Sequence, residues 1–299
     1  MKNQYVGDIG DYGKYSLLRA FSKAGVKVGV NWYLTENDDS NDGKFIEYIK
    51  DKDEFRRYDP ELFDVLKKIA PKKRKTVRDI EESRILQGAL FYPAILSPSG
   101  NPLERKGQRE AWFEESLEVL KDSELIFMDP DNGLLENSDG SKLGAEKYVL
   151  PDEVKRYFET GYNVVYYCHK GRRSLFQWFD YKSVMFNLIP EAKPAVLTYH
   201  KGSQRSYIFL IHDEDFVKYR GIIDKVKHNW FQVFTEEYTD KGDTAGNTSG
   251  ESITVTRANG VTVTISKRAD GQLAVNVSND PNTTRILSAD MFCRDIGIW

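Results

Sequence analysis

The stretch ELIFMDPDNGLLE, residues 124–136, passes abruptly from apolar residues into a polar turn. Residues 124–128 predict a strand, and its unbroken apolar run is typical of a strand buried on both faces. Asp129 and Asp131 follow at once, together with proline, asparagine and glycine, which are turn-forming residues. The chain therefore delivers two carboxylates to the end of a core strand.

Strand-like and helix-like segments alternate on both sides of this stretch. Helical periodicity is clear in the segments RSLFQWFDYKSVMFNLIP and QREAWFEESLEVLKD, and in the segment after Tyr15. The segments that predict further strands are VKVGVNWYL, YNVVYYCH, KPAVLTYHKG and RSYIFLIHD. This alternation predicts an α/β, Rossmann-like domain with a mainly parallel sheet over residues 1–238.

The pattern changes after residue 238. Residues 239–250 are rich in glycine, serine, threonine and aspartate, which predicts a linker. Apolar and polar residues then alternate, and Asn259-Gly260 and Asp270-Gly271 are strong hairpin signals. We therefore expect residues 251–299 to form a small domain, an antiparallel β-meander. It would pack on the main domain or join two copies of the chain in a homo-oligomer.

Composition narrows the functional class. The net charge is −3, so the chain as a whole is not a basic nucleic-acid-binding protein. No apolar run approaches the roughly 18 residues of a membrane helix, so a membrane partner is not expected. The opening MKNQYVGDIG lacks an apolar secretion segment, and Cys168 and Cys293 lie far apart. These features predict a cytoplasmic protein with buried thiols.

Basic residues are nevertheless clustered in two places. Residues 67–78, KKIAPKKRKTVR, form the first cluster, and the second follows a predicted strand as His169, Lys170, Arg172 and Arg173. Such clusters suit phosphate groups, and the abundant aromatics could stack bases, so a nucleic acid or nucleotide is the candidate partner. His169 is also a candidate general base. A solvated surface is the plainer alternative.

The N-terminal segment VGDIGDYGKYSLL, residues 6–18, is another candidate for binding substrate. Its three glycines lead into a helix, where backbone amides could hold an anion. Asp8, Asp11 and Lys14 are candidate substrate-binding residues in this segment. Alternatively, the two aspartates cap the helix, and Lys14 pairs with them.

The turn after the central strand admits three interpretations. Asp129 and Asp131 could be catalytic, with Asn132 and Gly133 binding substrate at the carboxyl end of the strand. The two carboxylates could instead hold Mg²⁺, as hard oxygen ligands do. Asp-Pro-Asp-Asn-Gly is also an ordinary turn sequence, in which side chains bond nearby amides.

Several of these segments resemble Rossmann-like adenine-N6 methyltransferases of ribosomal RNA. The similar segments are GDIGDYGKYSLL before the first strand and IFMDP followed later by YNVVYYCH, within residues 7–215. The resemblance implies S-adenosylmethionine as cofactor and a flipped base bound at Asp-Pro. The chain departs from the pattern because Asp131-Asn132 replaces proline and a stacking aromatic. Its segment VGVNWYL is also not followed by a glycine-rich turn.

A closer resemblance is to an uncharacterised family of bacterial and phage proteins. The shared segments are GDIGDYGKYSLLR, DGKFIEYI, YDPELFDVL, FMDPDNGL and KYV, which span most of residues 1–175. This resemblance implies no activity, and the β-rich tail is not part of the shared pattern.

The leading hypothesis is a methyltransferase-like protein that acts on nucleic acid or a nucleotide, with its pocket at the DPDNG strand end. One alternative is a non-catalytic, phage-type interaction protein that oligomerises or inhibits a host defence complex through a protein partner. A metal-dependent nuclease, with Mg²⁺ at the carboxylates, is the other alternative.

Overall fold

Helices and strands alternate through most of the chain, as predicted. The computed structural model describes residues 1–38, 45–136, 139–240, 252–256, 262–267, 273–277 and 280–287. The helices are α1 (Ile9–Lys23), α2 (Lys52–Phe55), α3 (Pro60–Ile69), α4 (Val77–Ser83), α5 (Pro102–Val119), α6 (Pro151–Glu159), α7 (Leu175–Leu188) and α8 (Asp213–Asn229). Short 3₁₀ helices span Asn3–Tyr5, Glu47–Lys50 and Ala145–Lys147.

The eleven described strands form a single sheet. They are β1 (Val28–Asn31), β2 (Leu90–Tyr92), β3 (Leu125–Met128), β4 (Asn163–His169), β5 (Lys193–Tyr199), β6 (Arg205–Ile211), β7 (Phe234–Asp240), β8 (Ser252–Thr256), β9 (Thr262–Lys267), β10 (Leu273–Val277) and β11 (Asp280–Leu287). Their order in the sheet is β11-β10-β9-β8-β7-β5-β6-β4-β3-β1-β2.

The direction of the strands differs from the prediction of a mainly parallel sheet. Strands β2, β1, β3 and β4 run parallel to one another, whereas β6 pairs antiparallel with both β4 and β5. The connection from β5 to β6 is only residues 200–204, and so short a loop can join only antiparallel neighbours. The fold is therefore α/β with a mixed sheet.

Helices cover both faces of the parallel part. One apolar cluster joins α1, α3, α4 and α8 to one face of the sheet, and the other joins α5, α6 and α7 to the opposite face. Residues of β3 alternate between these clusters, with Phe127 in the first and Ile126 in the second. The unbroken apolar run of β3 follows from this burial on both faces.

Helix α1 lies unusually close to the sheet, and this brings its side chains to the strand ends. A Cβ added at Gly13 would lie 2.7 Å from the ring of Tyr199, and one added at Gly10 would meet the guanidinium of Arg205. Only residues without a side chain permit this approach. Two of the three glycines predicted to present amides to an anion, Gly10 and Gly13, therefore serve helix packing inside α1.

The C-terminal strands continue the main sheet. Strand β8 pairs antiparallel with β7 along Glu236–Asp240, so the predicted boundary at residue 238 falls inside a strand. Strands β8, β9 and β10 form the predicted meander, and β11 adds a fourth antiparallel strand. The hairpin residues 259–260 and 270–271, Cys293 and most of the predicted linker lie outside the described residues.

Within the described part of the chain, no helix is long and apolar enough to cross a membrane.

Candidate functional site

The carboxyl ends of β1, β3 and β4 meet at one edge of the sheet. Asp129 directly follows β3, His169 ends β4, and these two strands are parallel neighbours. His169 pairs in register with Arg205, the first residue of antiparallel β6. Asp129, His169 and Arg205 therefore lie on the same rim, as expected if the two strands were adjacent.

A cavity of about 380 Å³ opens on this rim. It opens at the carboxyl ends of β3 and β4, next to the point where the strand order reverses, since β2 lies on one side of β1 and β3 on the other. Its lining combines acids, cations and aromatic rings: Met1, Lys2, Tyr5, Asp8, Gly10, Asp11, Lys14, Asp38, Phe45, Asp129, Pro130, Asp131, Asn132, Lys147, Tyr167, His169, Ser203 and Arg205. Open α/β sheets bind ligands at this position.

A buried network of charges forms the floor of the cavity. The Lys14 ammonium lies 2.7 Å from Asp129 Oδ2 and 2.6 Å from Asp11 Oδ1. Asp11 also accepts hydrogen bonds from the Tyr15 hydroxyl and the Gly7 amide, at 2.8 and 2.9 Å. One lysine thus joins the first turn of α1 to the end of β3 and neutralises charge on both carboxylates.

Burial and ion pairing shift the pKa values of this network in opposite directions. Burial alone would lower the pKa of Lys14, but the charges of Asp11 and Asp129 outweigh it and raise the pKa above its ordinary value. Burial raises the pKa of Asp129, although Lys14 and the chain's ammonium group oppose that shift. Lys14 is therefore a fixed cation that holds the two carboxylates, and it is not suited to give up a proton near neutral pH.

The second carboxylate of the Asp-Pro-Asp sequence is also paired. The Met1 ammonium lies 2.7 Å from Asp131 Oδ1 and donates to the main-chain carbonyls of Tyr33 and Asp129, at 3.0 and 2.9 Å. The Thr35 hydroxyl donates to Asp131 Oδ2 at 3.2 Å. The two aspartates thus face different cations of the chain itself.

The opposite wall carries His169 and Arg205. The Arg205 guanidinium lies 3.6 Å from Asp8 Oδ2, and Asp8 caps α1 by accepting the Asp11 amide at 2.8 Å. Burial and the charges of Arg173 and Arg205 lower the pKa of His169, so its ring is neutral at pH 7. Its Nδ1 is buried without a hydrogen-bond partner among the described residues. A neutral imidazole of this kind can accept a proton from a bound ligand.

Aromatic and polar groups at the cavity wall were missing from the sequence prediction. Phe45 is 66% exposed although it is a large apolar residue, and its carbonyl accepts the Ile9 amide at 3.0 Å beside the start of α1. Tyr5 and Tyr167 add two further rings. Only its aromatic type, after a polar acidic segment, marks Phe45 in the sequence, and no periodic pattern singles it out.

The structure brings most of the predicted site residues together. Seven line the cavity: Asp8, Asp11, Lys14, Asp129, Asp131, Asn132 and His169. Four others do not line it: Gly133, Lys170, Arg172 and Arg173. A Cβ at Gly133 would meet Tyr181 and Cys168, and Arg173 stacks on the Tyr181 ring at 3.7 Å. Both residues therefore contact Tyr181 of α7, which packs on the sheet face opposite to α1.

The carboxylates do not form a ready divalent-cation site. Across the described ranges, no group of three or more histidine, cysteine, aspartate or glutamate side chains is arranged to hold a metal ion. Asp129 and Asp131 are instead occupied by Lys14 and Met1. A metal would have to displace these cations.

The residues after β1 do not fit S-adenosylmethionine. Where the methyltransferases have a glycine-rich turn, this chain has Trp32 and Tyr33, both fully buried. Trp32 donates to Glu81 at 2.8 Å and Tyr33 donates to Glu153 at 2.9 Å. Because bulky and anchored side chains occupy this turn, it does not fit that cofactor.

Comparison with known proteins gives no assignment, because the chain matches no family model and no curated protein.

Proposed function

We propose that this protein binds a nucleotide, or a base of a nucleic acid, in the rim cavity and acts on it there, on a methyltransferase-like scaffold. The observation that carries the proposal is the cavity itself, with cations, a neutral histidine and the exposed ring of Phe45 next to the reversal of the strand order. Doubly wound α/β proteins hold nucleotides at this position.

The lining provides complementary groups for such a ligand. Arg205 and Lys147 supply positive charge for a phosphate, and Asn132 supplies an amide that can both donate and accept. Phe45 offers an exposed ring face on which a base can stack. This ring would serve in place of the aromatic missing from the Asp-Pro turn.

His169 is the residue best suited to move a proton on the bound ligand. It is neutral at pH 7 because its pKa is lowered by burial and by nearby arginines. Asp129 and Asp131 are held by internal ion pairs, so their contribution is to position α1 and the cavity wall. Of the three predicted catalytic residues, we therefore assign the proton transfer to His169.

A second candidate, the non-catalytic interaction protein, is favoured by the same ion pairs. Both carboxylates of the Asp-Pro-Asp sequence are neutralised by cations of the chain, which suits a binding scaffold without chemistry at that turn. Ligand binding without any change in the ligand would support this candidate over an enzyme.

Calorimetric titration with the four nucleoside monophosphates, S-adenosylmethionine and MgCl₂ tests the proposal. We expect a nucleoside monophosphate to bind, and Phe45→Ala to weaken binding about tenfold, since stacking contributes about 1–3 kcal/mol per base. The matched control is Phe231→Ala, because Phe231 is 49% exposed but does not line the cavity. We expect no binding of S-adenosylmethionine.

Failure of every nucleotide to bind the wild-type chain would refute the proposal. Mass spectrometry of the recovered ligand then separates the two candidates. Conversion that is lost in His169→Gln, while affinity is kept, supports the enzyme. An unchanged ligand supports the binding protein.

A further inference from the structure

An exposed basic loop lies between α3 and α4. Lys72, Lys73 and Arg74 are all exposed there, and Lys72 pairs with Asp79 at 2.5 Å. Lys73 and Arg74 have no ion pair among the residues that the structure describes. The loop thus presents two available cations to solvent, beside further lysines at the end of α3.

This basic loop borders the cavity. The α3 end lies against Gly7, where an added Cβ would be 2.9 Å from the Cβ of Ala70, and the Val77 amide donates to Asn3 Oδ1 at 2.9 Å. Lys75 is partly buried, and its charge interacts with Asp8 and with Asp11, both of which line the cavity. The loop is therefore continuous with the wall formed by the start of α1.

We infer that the cavity receives its base from a single-stranded nucleic acid, whose phosphates lie along the loop at Lys73 and Arg74 while one base stacks on Phe45. The inference rests on the proposed function and selects the nucleic-acid polymer from its two classes of ligand. A single strand is favoured because a base in a duplex must first be unstacked and unpaired, whereas an unpaired base can enter the cavity directly.

The charges around the loop favour binding of a single nucleic-acid strand over binding of an anionic membrane surface. Asp64 and Asp79 flank the basic residues, and the chain as a whole has a net charge of −3. An anionic membrane would face these carboxylates together with the lysines. A single nucleic-acid strand can contact Lys73 and Arg74 without approaching Asp64 and Asp79.

Fluorescence anisotropy with labelled RNA and DNA strands of about 12 nucleotides tests the inference, a length within the roughly 4–16 nucleotides that single-strand-binding OB folds cover. We expect Lys73→Glu/Arg74→Glu to weaken strand binding at least tenfold and to leave binding of the nucleoside monophosphate unchanged. The slope of log affinity against log salt should fall by about 1.4 for two lost phosphate contacts. The matched control, Lys106→Glu/Lys225→Glu, reverses two exposed charges on α5 and α8.

The outcomes distinguish this inference from the proposed function. Equal strand affinity of the loop variant and the control would overturn the inference, and so would binding to phosphatidylserine vesicles without binding to either strand. In both cases, retained binding of the nucleoside monophosphate would leave the proposed function intact. A wild-type chain that binds no nucleoside monophosphate would refute the proposed function itself.

Discussion

Lys14 contributes more to the stability of the fold than the residues around it, because it pairs with two buried carboxylates. Its ammonium pairs with Asp11 and Asp129, which lie in different elements. Removing a charge from a buried network leaves its partners unpaired in a medium that solvates them poorly. The number of partners left unpaired therefore decides the cost of each substitution.

We predict that Lys14→Met destabilises the protein more than Asp129→Asn. The first substitution leaves two buried carboxylates without their cation and should lower the free energy of unfolding by about 3–5 kcal/mol. Asp129→Asn leaves Lys14 paired with Asp11 and should cost about 1–3 kcal/mol. Urea denaturation of the two variants measures the order. An equal or greater loss in Asp129→Asn would show that the lysine does not hold the network together.

At the level of the element, α1 depends on glycines for its distance from the sheet. Helix propensity alone would favour alanine at an interior position by about 1 kcal/mol. At Gly13 that preference opposes packing, because a Cβ would lie 2.7 Å from the buried ring of Tyr199. Gly107 in α5 offers a contrast, since nothing lies within 4 Å of the position of its Cβ.

We predict opposite effects of the same substitution at these two positions. Gly13→Ala should lower the free energy of unfolding by about 1–3 kcal/mol, because the close-packed interface cannot absorb the methyl group without shifts. Gly107→Ala should raise it by about 0.5–1 kcal/mol. Chemical denaturation of both variants provides the measurement. Stabilisation by Gly13→Ala would mean that α1 can move away from the sheet at little cost.

The elements themselves were largely predictable from the sequence. Apolar periodicity placed α1, α5 and α7, and the apolar runs placed β3 and β4, because these segments are governed by burial. Strand direction was harder to predict, since the same apolar pattern suits a parallel or an antiparallel strand that is buried on both faces. The short connection before Arg205 was the available signal for the antiparallel pair.

The site was predictable in position and less so in chemistry. Strand ends in α/β sheets form the ligand-binding edge, so Asp129 and His169 could be placed on one rim. The ion-pair partners of Asp129 and Asp131 could not be predicted from the sequence, because they lie 115 and 130 positions away in the chain. Phe45 was missed for the same reason, since its place at the cavity follows from tertiary packing.

At the scale of the whole molecule, the sheet is continuous from the cavity to the C-terminal strands. Strand β7 pairs with β5 on one side and with β8 on the other. Glu236 in β7 is fully buried and pairs with Lys227 of α8 at 2.6 Å. Removal of the later strands would expose the backbone groups of β7 along one edge, beside this buried ion pair.

We predict that a chain ending at Asp240 keeps the cavity but is less stable than the full chain. Every residue lining the cavity lies at or before Arg205, so the site is retained. Loss of pairing along β7 should lower the thermal midpoint by about 5 °C, which corresponds to about 1–2 kcal/mol in a domain of this size. A chain ending at 287 controls for the loss of residues 288–299. Light scattering on the same samples shows whether these strands join two copies. An unchanged midpoint, with a second separate transition in the full chain, would instead identify residues 251–299 as a domain that unfolds independently of the main sheet.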